Sequence, residues 1–195
     1  APRGSVVPLN LEMALNEVRS LVVSGPNAGG KSVALKTAVL LCAMNQAGIP
    51  VGVEEGAVFP VFRFLYAAVG DSQSILDSLS TFSARMVHLK EALENMEEPF
   101  LAILDELGAG TDPAEGAALG EAILLHLHDR MGYTLCSTHQ EALKARALVT
   151  GGMGNACMEF SEGDGRPTFQ LCQGRVGASR ALDAATRAGL PASLL

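Results

Sequence analysis

Residues 25–32 read Gly-Pro-Asn-Ala-Gly-Gly-Lys-Ser and satisfy the pattern G-x-x-x-x-G-K-[ST] in full. In such a segment the glycines let successive backbone N–H groups turn toward phosphate oxygens, and the start of the following helix adds partial positive charge. Lys31 can reach the β- and γ-phosphates of a nucleotide, and the Ser32 hydroxyl can bind Mg²⁺. The predicted nucleotide-binding residues of this segment are Gly25, Pro26, Asn27, Ala28, Gly29, Gly30, Lys31, Ser32 and Val33.

An apolar run at 100–104 ends in two carboxylates, Asp105 and Glu106. A strand that ends this way brings its carboxylates to the carboxyl edge of a parallel sheet, beside a phosphate-binding loop. There Asp105 could hold the Mg²⁺ shell, and Glu106 could polarise a water in line with the γ-phosphate. An acidic pair after a strand is common in loops, so its significance depends on the motif at 25–32.

His139 follows another apolar run, 133–136, in the segment Ser-Thr-His. A single histidine is most often a surface or capping residue. His139 is the third polar group expected at one edge of the sheet, which favours the interpretation that it contacts the γ-phosphate or the attacking water. Two further polar segments, 70–74 and 79–83, indicate on spacing alone only a loop and a helix N-cap.

Short β-type runs alternate with helical stretches, which predicts an α/β domain with a mostly parallel sheet flanked by helices. Strands are expected at 21–23, 64–69, 100–104 and 133–136, and helices at 31–46, 81–96 and 114–128. The helix at 31–46 is apolar nearly all round, which predicts that it is buried. The residues of the 81–96 helix expected to face the core are Met86, Leu89, Leu93 and Met96.

The last part of the chain has a different pattern. Runs at 159–160 and 168–171 flank a Gly-Asp-Gly turn at 163–165, which predicts an antiparallel hairpin. A short helix at about 181–188 is expected within a helical tail at about 178–195.

Composition limits the function classes. The 195 residues suit one domain, and 48% apolar with 18% charged residues excludes a disordered chain. The net charge of −7 argues against a domain that grips the nucleic-acid backbone. No apolar run is long enough to span a bilayer and no signal-peptide pattern is present, so we expect no membrane partner. The four cysteines lack zinc-site spacing, and three of them lie inside apolar runs, which favours buried, reduced thiols and a cytosolic protein. The chain is expected to be one domain, 1–195, and because it has no initiator Met it is either processed or an excised piece of a longer protein.

Together the motifs resemble the four ATPase motifs of the MutS family, a family of ABC-type ATPases. They lie at 25–32, 80–82, 104–106 and 137–139. The stretch Asp-Glu-Leu-Gly-Ala-Gly-Thr-Asp-Pro-Ala-Glu-Gly-Ala-Ala-Leu, which starts at Asp105, resembles the second bacterial MutS branch. Mismatch-repair MutS tends to have Ser-Thr where this chain has Asp-Pro. The segments 70–75 and 79–83 also resemble the second branch, and the likeness covers about 8–195.

The resemblance implies a P-loop NTPase fold of ABC type that binds ATP and Mg²⁺ and hydrolyses ATP to ADP and phosphate. It implies that Lys31, Glu106 and His139 act in catalysis, that Ser32 and Asp105 hold the metal, and that Gln73 lies in a γ-phosphate-sensing loop. It also implies that Ser80 contacts the nucleotide of an opposite subunit, with Asp112 in a loop that communicates across that interface. The expected assembly is a homodimer with composite ATP sites.

In the family a core and lever region precedes this domain, and a small MutS-related nuclease domain often follows it. The second branch is associated with suppression of homologous recombination and with branched DNA, and some members with ribosomes. DNA contact is therefore expected through other domains. No aromatic residue precedes Phe59, so the base-stacking aromatic often found ahead of the phosphate loop is missing, which leaves the hold on adenine open.

Two other functions stay open. One is an ATP-binding dimerisation switch with negligible turnover, against which the retained Glu106 argues. The other is an ABC ATPase in a transport or ribosome-associated role. A transporter signature segment is expected to read like Leu-Ser-Gly-Gly-Gln, whereas residues 79–83 read Leu-Ser-Thr-Phe-Ser.

Overall fold

The computed structural model describes residues 6–69, 78–161 and 165–177. The predicted tail at 178–195 and Gln73 lie outside the described residues, as does part of the predicted turn at 163–165. The side chains of Asn27 and of residues 78–81 are also outside the description.

Strands and helices alternate along most of the described chain, as the sequence pattern predicts, and the last two strands follow one another directly. In order they are β1 (Ser20–Ser24), α1 (Lys31–Gln46), β2 (Phe64–Ala68), α2 (Ser78–Asn95), β3 (Phe100–Leu104), α3 (Pro113–His128), β4 (Gly132–Ser137), α4 (Glu141–Val149), β5 (Met153–Phe160) and β6 (Pro167–Gln173). The prediction of a mixed α/β domain is confirmed.

The strands form one six-stranded sheet in the order β2-β3-β4-β1-β5-β6. Strands β1 to β5 pair in parallel, and β6 pairs antiparallel with β5. This confirms a mostly parallel sheet with an antiparallel portion. Because β3, β4 and β1 are neighbours, the loops that leave their carboxyl ends meet at one edge, where open α/β sheets bind their ligands.

The core lies on both faces of the sheet. Alternate residues of each inner strand point to opposite faces, so Val22 and Ala102 belong to one buried cluster, and Val23 and Ile103 to the other. The first cluster includes residues of α2, α3 and α4, and the second includes residues of α1. Strands covered on both faces have continuous apolar sequences, which explains the run at 100–104.

The prediction that α1 is buried all round is wrong. Its buried residues are Lys31, Ala34, Leu35 and Ala38, whereas Val33 is 66% and Leu40 58% exposed. The helix forms a single layer on its face of the sheet, so only one of its sides packs against strands. In the described part of the chain, no second layer covers the other side.

The core-facing prediction for α2 is confirmed. Leu89 and Met96 are buried, and Met86 and Leu93 pack against the same cluster. None of the helices within the described residues is long and apolar enough for a membrane crossing.

Candidate nucleotide-binding site

The loop between β1 and α1 carries the motif at 25–32. Gly25 and Gly30 have φ angles of +124° and +93°, in the left-handed region that favours glycine. A 3₁₀ turn at Asn27–Gly29 closes the loop, and the N–H of Gly29 donates to the Pro26 carbonyl at 3.0 Å. A Cβ on Gly29 would lie 3.1 Å from the Cβ of Met158, so the loop packs tightly against β5.

The N-terminus of α1 faces this loop. Its N-cap residue, Gly30, offers no side chain to the first N–H groups of the helix, and the first turn contains no acidic residue. Helix N-terminal N–H groups without a capping side chain are ready donors for an anion. Ser32 is half-buried in this first turn. The Val33 side chain points to solvent, so any phosphate contact from that residue would come from its N–H.

Lys31 is a buried cation at the centre of the site, with 2% of its surface exposed. Its Nζ donates to the Gly25 carbonyl at 2.6 Å and lies 3.4 Å from Nε2 of His139. Burial lowers the pKa of Lys31, while the nearby charges of Asp105 and Glu106 act in the opposite direction. A buried ammonium group at the start of a helix suits a multiply charged anionic ligand.

Asp105 and Glu106 leave the carboxyl end of β3. The Asp105 N–H donates to the Ala68 carbonyl at 2.9 Å, which extends the pairing with β2 by one residue. Asp105 Oδ1 accepts from the Ser137 hydroxyl at 2.5 Å. Glu106 has a φ of +55°, which is uncommon for a residue with a side chain and turns the chain sharply after the strand. Both carboxylates are half-buried.

His139 leaves the carboxyl end of β4 and meets Lys31 from the other side. Burial lowers the pKa of His139, and the charge of Lys31 lowers it further, whereas Glu106 raises it. The imidazole is therefore neutral near pH 7. Because an ammonium group only donates, Nε2 of His139 acts as the acceptor and the ring proton sits on Nδ1.

The predicted metal-holding residues suit Mg²⁺ by their chemistry. Ser32 and Asp105 supply hydroxyl and carboxylate oxygens, and Mg²⁺ commonly takes one or two protein oxygens together with water and phosphate. The described residues contain no group of three or more His, Cys, Asp or Glu that could form a complete protein cage. Ser32 and Asp105 would leave the other positions around such a cation to water and phosphate.

The structure thus brings the loop at 25–32, Asp105, Glu106 and His139 to one edge of the sheet. Ser80 lies near the start of α2, and its side chain is outside the description, as is Gln73. The contacts predicted for Ser80 and Gln73 therefore stay predictions.

The sequence pattern assigns no individual role to two residues at this edge, although Ser137 belongs to the motif at 137–139. Ser137 is fully buried and touches both carboxylate-bearing residues. Phe169 on β6 is 52% exposed, and its Cδ1 lies 3.1 Å from the point that a Cβ on Gly30 would occupy. Its φ is +61°, which is rare for an aromatic residue. Only the fold places this β6 residue beside the loop at 25–32.

Comparisons with known proteins show the family to which the chain belongs. Residues 21–195 match the family model described as MutS domain V. The chain is 46% identical over 192 residues to Endonuclease MutS2 of Maridesulfovibrio salexigens, which covers 98% of this chain and 25% of that protein. It is 45% identical over 191 residues to Endonuclease MutS2 of Solidesulfovibrio magneticus, an alignment that covers 98% of this chain and 25% of that protein. It is 46% identical over 189 residues to Endonuclease MutS2 of Pelotomaculum thermopropionicum, with 97% of this chain and 24% of that protein covered.

The chain spans about a quarter of the length of these curated relatives. Their names confirm the resemblance to the second bacterial branch, and the family model confirms a P-loop ATPase fold. The chain belongs to the MutS family and carries its domain V, a nucleotide-binding ATPase domain.

Proposed function

We propose that this domain binds Mg²⁺–ATP at the carboxyl edge of the sheet and hydrolyses it to ADP and phosphate. The observation that carries the proposal is the position of Lys31. Its ammonium group is buried, lies at the uncapped N-terminus of α1, and stands 3.4 Å from His139. A triphosphate can accept hydrogen bonds from this ammonium group and from the helix N–H groups together.

In this proposal the phosphates accept hydrogen bonds from the N–H groups of residues 25–32 and from Lys31. Ser32 and Asp105 would hold the metal, which when bound would offset the negative charge of the phosphates. Glu106 is the base, because a carboxylate beside the γ-phosphate can accept a proton from the attacking water. His139, neutral and exposed toward the site, contacts the γ-phosphate or that water.

We also propose that Phe169 is the surface on which the adenine base stacks. Its ring is exposed and borders Gly30 of the phosphate loop, and its backbone has an unusual φ of +61°. Aromatic faces bind bases by stacking, whatever strand or loop supplies them. In this position Phe169 would take the role of the base-stacking aromatic residue that is missing ahead of the phosphate loop.

The active form in this proposal is a homodimer with two composite ATP sites. The loop, Asp105 and Glu106 come from one subunit, and hydrolysis also needs donors on the outer face of the γ-phosphate. The resemblance offers Ser80 of a second copy, at the start of α2. The N-terminus of that helix would add N–H groups and the helix dipole.

At the level of the whole protein, we propose a MutS-like DNA-handling role. The curated relatives are named as endonucleases, and this domain matches only about a quarter of their length. With a net charge of −7, the domain itself is poorly suited to bind the phosphate backbone of DNA. Nucleotide-controlled dimerisation here would regulate DNA contacts made elsewhere in the protein.

The binding step is tested by calorimetric titration of Mg²⁺–ATP into the chain and two lysine variants. Lys31→Ala removes the buried cation and should weaken ATP binding by about tenfold or more. Lys36→Ala, an exposed lysine of the same helix, is the control and should bind like the unchanged chain. Equal affinity in all three proteins would show that the site is assigned wrongly.

A further inference from the structure

The hydroxyl of Ser137 joins the two acidic residues that follow β3. Ser137 is the last residue of β4 and is fully buried. Its Oγ lies 2.5 Å from Asp105 Oδ1 and 2.8 Å from the backbone nitrogen of Glu106. The Ser137 hydroxyl therefore bonds to two consecutive residues that lie more than thirty positions before it in the chain.

The directions of these two bonds follow from the chemistry of the partners. A carboxylate oxygen only accepts, so the Ser137 proton points to Asp105. A backbone N–H only donates, so Glu106 uses a lone pair of the same oxygen. Removal of the hydroxyl would take away a donor from Asp105 and an acceptor from Glu106 at once.

The backbone of Glu106 depends on such support. Its φ of +55° is unfavourable for a residue with a Cβ and persists where the surroundings fix it. The next residue, Leu107, is held by the same end of β4. Its N–H donates to the Ser137 carbonyl at 2.8 Å, and its carbonyl accepts from the Thr138 hydroxyl at 2.9 Å. The turn after β3 is thus fixed at several points by two consecutive residues.

We propose that Ser137 is a positioning residue that sets the geometry of Asp105 and Glu106 for ATP hydrolysis. Its hydroxyl is engaged by Asp105 and by the N–H of Glu106, so it acts through these two residues. This inference rests on the proposed function, in which Asp105 holds the metal and Glu106 is the base. Its consequence is that loss of the hydroxyl slows turnover more than it weakens ATP binding.

The test compares Ser137→Ala, Ser137→Thr and Thr134→Val in the same chain. Ser137→Thr keeps the hydroxyl, and a β-branched residue suits a strand. Thr134→Val is the matched control, because Thr134 is also a buried hydroxyl residue of β4, but its Oγ1 has no hydrogen-bond partner among the described residues. Steady-state turnover, ATP affinity by calorimetry and thermal unfolding are measured for each protein.

Ser137→Ala should lower turnover by about tenfold to a hundredfold, which corresponds to one lost hydrogen bond of a charged site. Its ATP affinity should stay within a few-fold of the unchanged chain, Ser137→Thr should recover most of the turnover, and Thr134→Val should lose little. If Ser137→Ala does not fold, Ser137→Cys keeps the volume with a weak donor and should show the same selective loss.

Turnover by the alanine variant equal to that of the unchanged chain would overturn the inference. So would equal losses in Ser137→Ala and Ser137→Thr when both proteins are folded. Failure of the proposed function gives a different result, because the unchanged chain itself would then show no hydrolysis, whether or not it binds ATP.

Discussion

The ammonium nitrogen of Lys31 lies 3.4 Å from Nε2 of His139, although 108 residues separate them along the chain. The contact exists because β1 and β4 are adjacent and parallel, so that the loops after both strands leave the sheet at the same edge. It joins the first and last of the sequence motifs within one subunit. A ligand that contacts the Lys31 ammonium group therefore lies close to His139.

The loop after Glu106 depends on a close backbone contact. A Cβ on Gly116, in the first half of α3, would overlap the carbonyl oxygen of Gly108. Gly116→Ala should therefore displace this loop, destabilise the fold by about 1–3 kcal/mol and reduce turnover. Denaturant unfolding and ATPase assays measure both effects.

Gly120→Ala, one turn later in α3, is the control for that variant. Its Cβ would make contacts of 3.4 Å with Leu107 and Leu143, and it gains helix propensity. It should be tolerated. Unfolding curves that coincide for Gly116→Ala and the unchanged chain would contradict the close contact.

A buried histidine far from the site predicts acid sensitivity. His128 is 4% exposed, with Nδ1 2.9 Å from Ser20 Oγ and Nε2 3.0 Å from the Gly151 carbonyl. Burial lowers the pKa of His128 below its ordinary 6.5, and the charge of Arg19 adds to this, while the Gly151 bond and Asp129 oppose it.

Because the pKa of His128 is lower in the folded chain than in the unfolded chain, the unfolded chain binds more protons below about pH 6.5. The stability contribution is complete above that pH and is lost as the pH falls. His128→Gln should be less stable at about pH 7.5, but its Tm should fall less on acidification to about pH 5.5. Parallel Tm curves for the two proteins would rule out this role for His128.

The base-stacking role of Phe169 predicts selective loss of nucleoside binding. Phe169→Ala should weaken ATP binding by about fivefold to a hundredfold, the usual range for a lost base stack. Inorganic tripolyphosphate, which has no base, should bind both proteins equally. Phe169→Trp should retain ATP affinity. Calorimetry with both ligands decides, and an ATP affinity unaffected by Phe169→Ala would reject the assignment.

The proposed homodimer predicts complementation between two inactive variants. In a mixture of Lys31→Ala and Ser80→Arg, each mixed dimer contains one intact composite site and one doubly damaged site. Mixing should restore part of the ATPase activity, and turnover of the unchanged chain should rise more than linearly with its concentration. A mixture as inactive as its components, with both variants folded and dimeric, would exclude hydrolysis in trans.

Local sequence signals predict the elements that carry the site. The helix at 31–46 and the strand at 100–104 have the bounds that the sequence predicts. A glycine-rich turn precedes the helix and Gly48 follows it, while Pro99 and Asp105 flank the strand. Residues that begin or end a helix or strand at both of its ends predict its bounds without knowledge of the tertiary structure.

Helix α4 shows where local signals are insufficient. It has nine residues, and its N-cap residue, Gln140, makes no side-chain capping bond. One of its buried residues is Lys144, which breaks the apolar pattern and pairs with Glu141 at 2.7 Å. A helix of this length is stabilised by packing against α3 and β5 rather than by its own propensity.

The contacts of Ser137 and Phe169 also cannot be predicted from the local sequence. A serine at the end of a strand is ordinary, and only the pairing of β3 with β4 brings it to Asp105. Phe169 lies next to the phosphate loop because β6 is the outermost strand of the sheet and pairs with β5. Strand order is a property of the whole chain, so these roles emerge only from the fold.

Glu106→Gln tests the central claim most directly, since it keeps the size of the side chain and removes its capacity as a base. Phosphate release and ATP affinity are measured at the same protein concentration, with Glu54→Gln, an exposed loop substitution, as control. We expect Glu106→Gln to bind ATP with unchanged affinity and to hydrolyse it about 10²–10⁴-fold more slowly. Turnover by Glu106→Gln equal to that of the unchanged chain would contradict the proposal that this edge of the sheet is an ATP-hydrolysing site with Glu106 as its base.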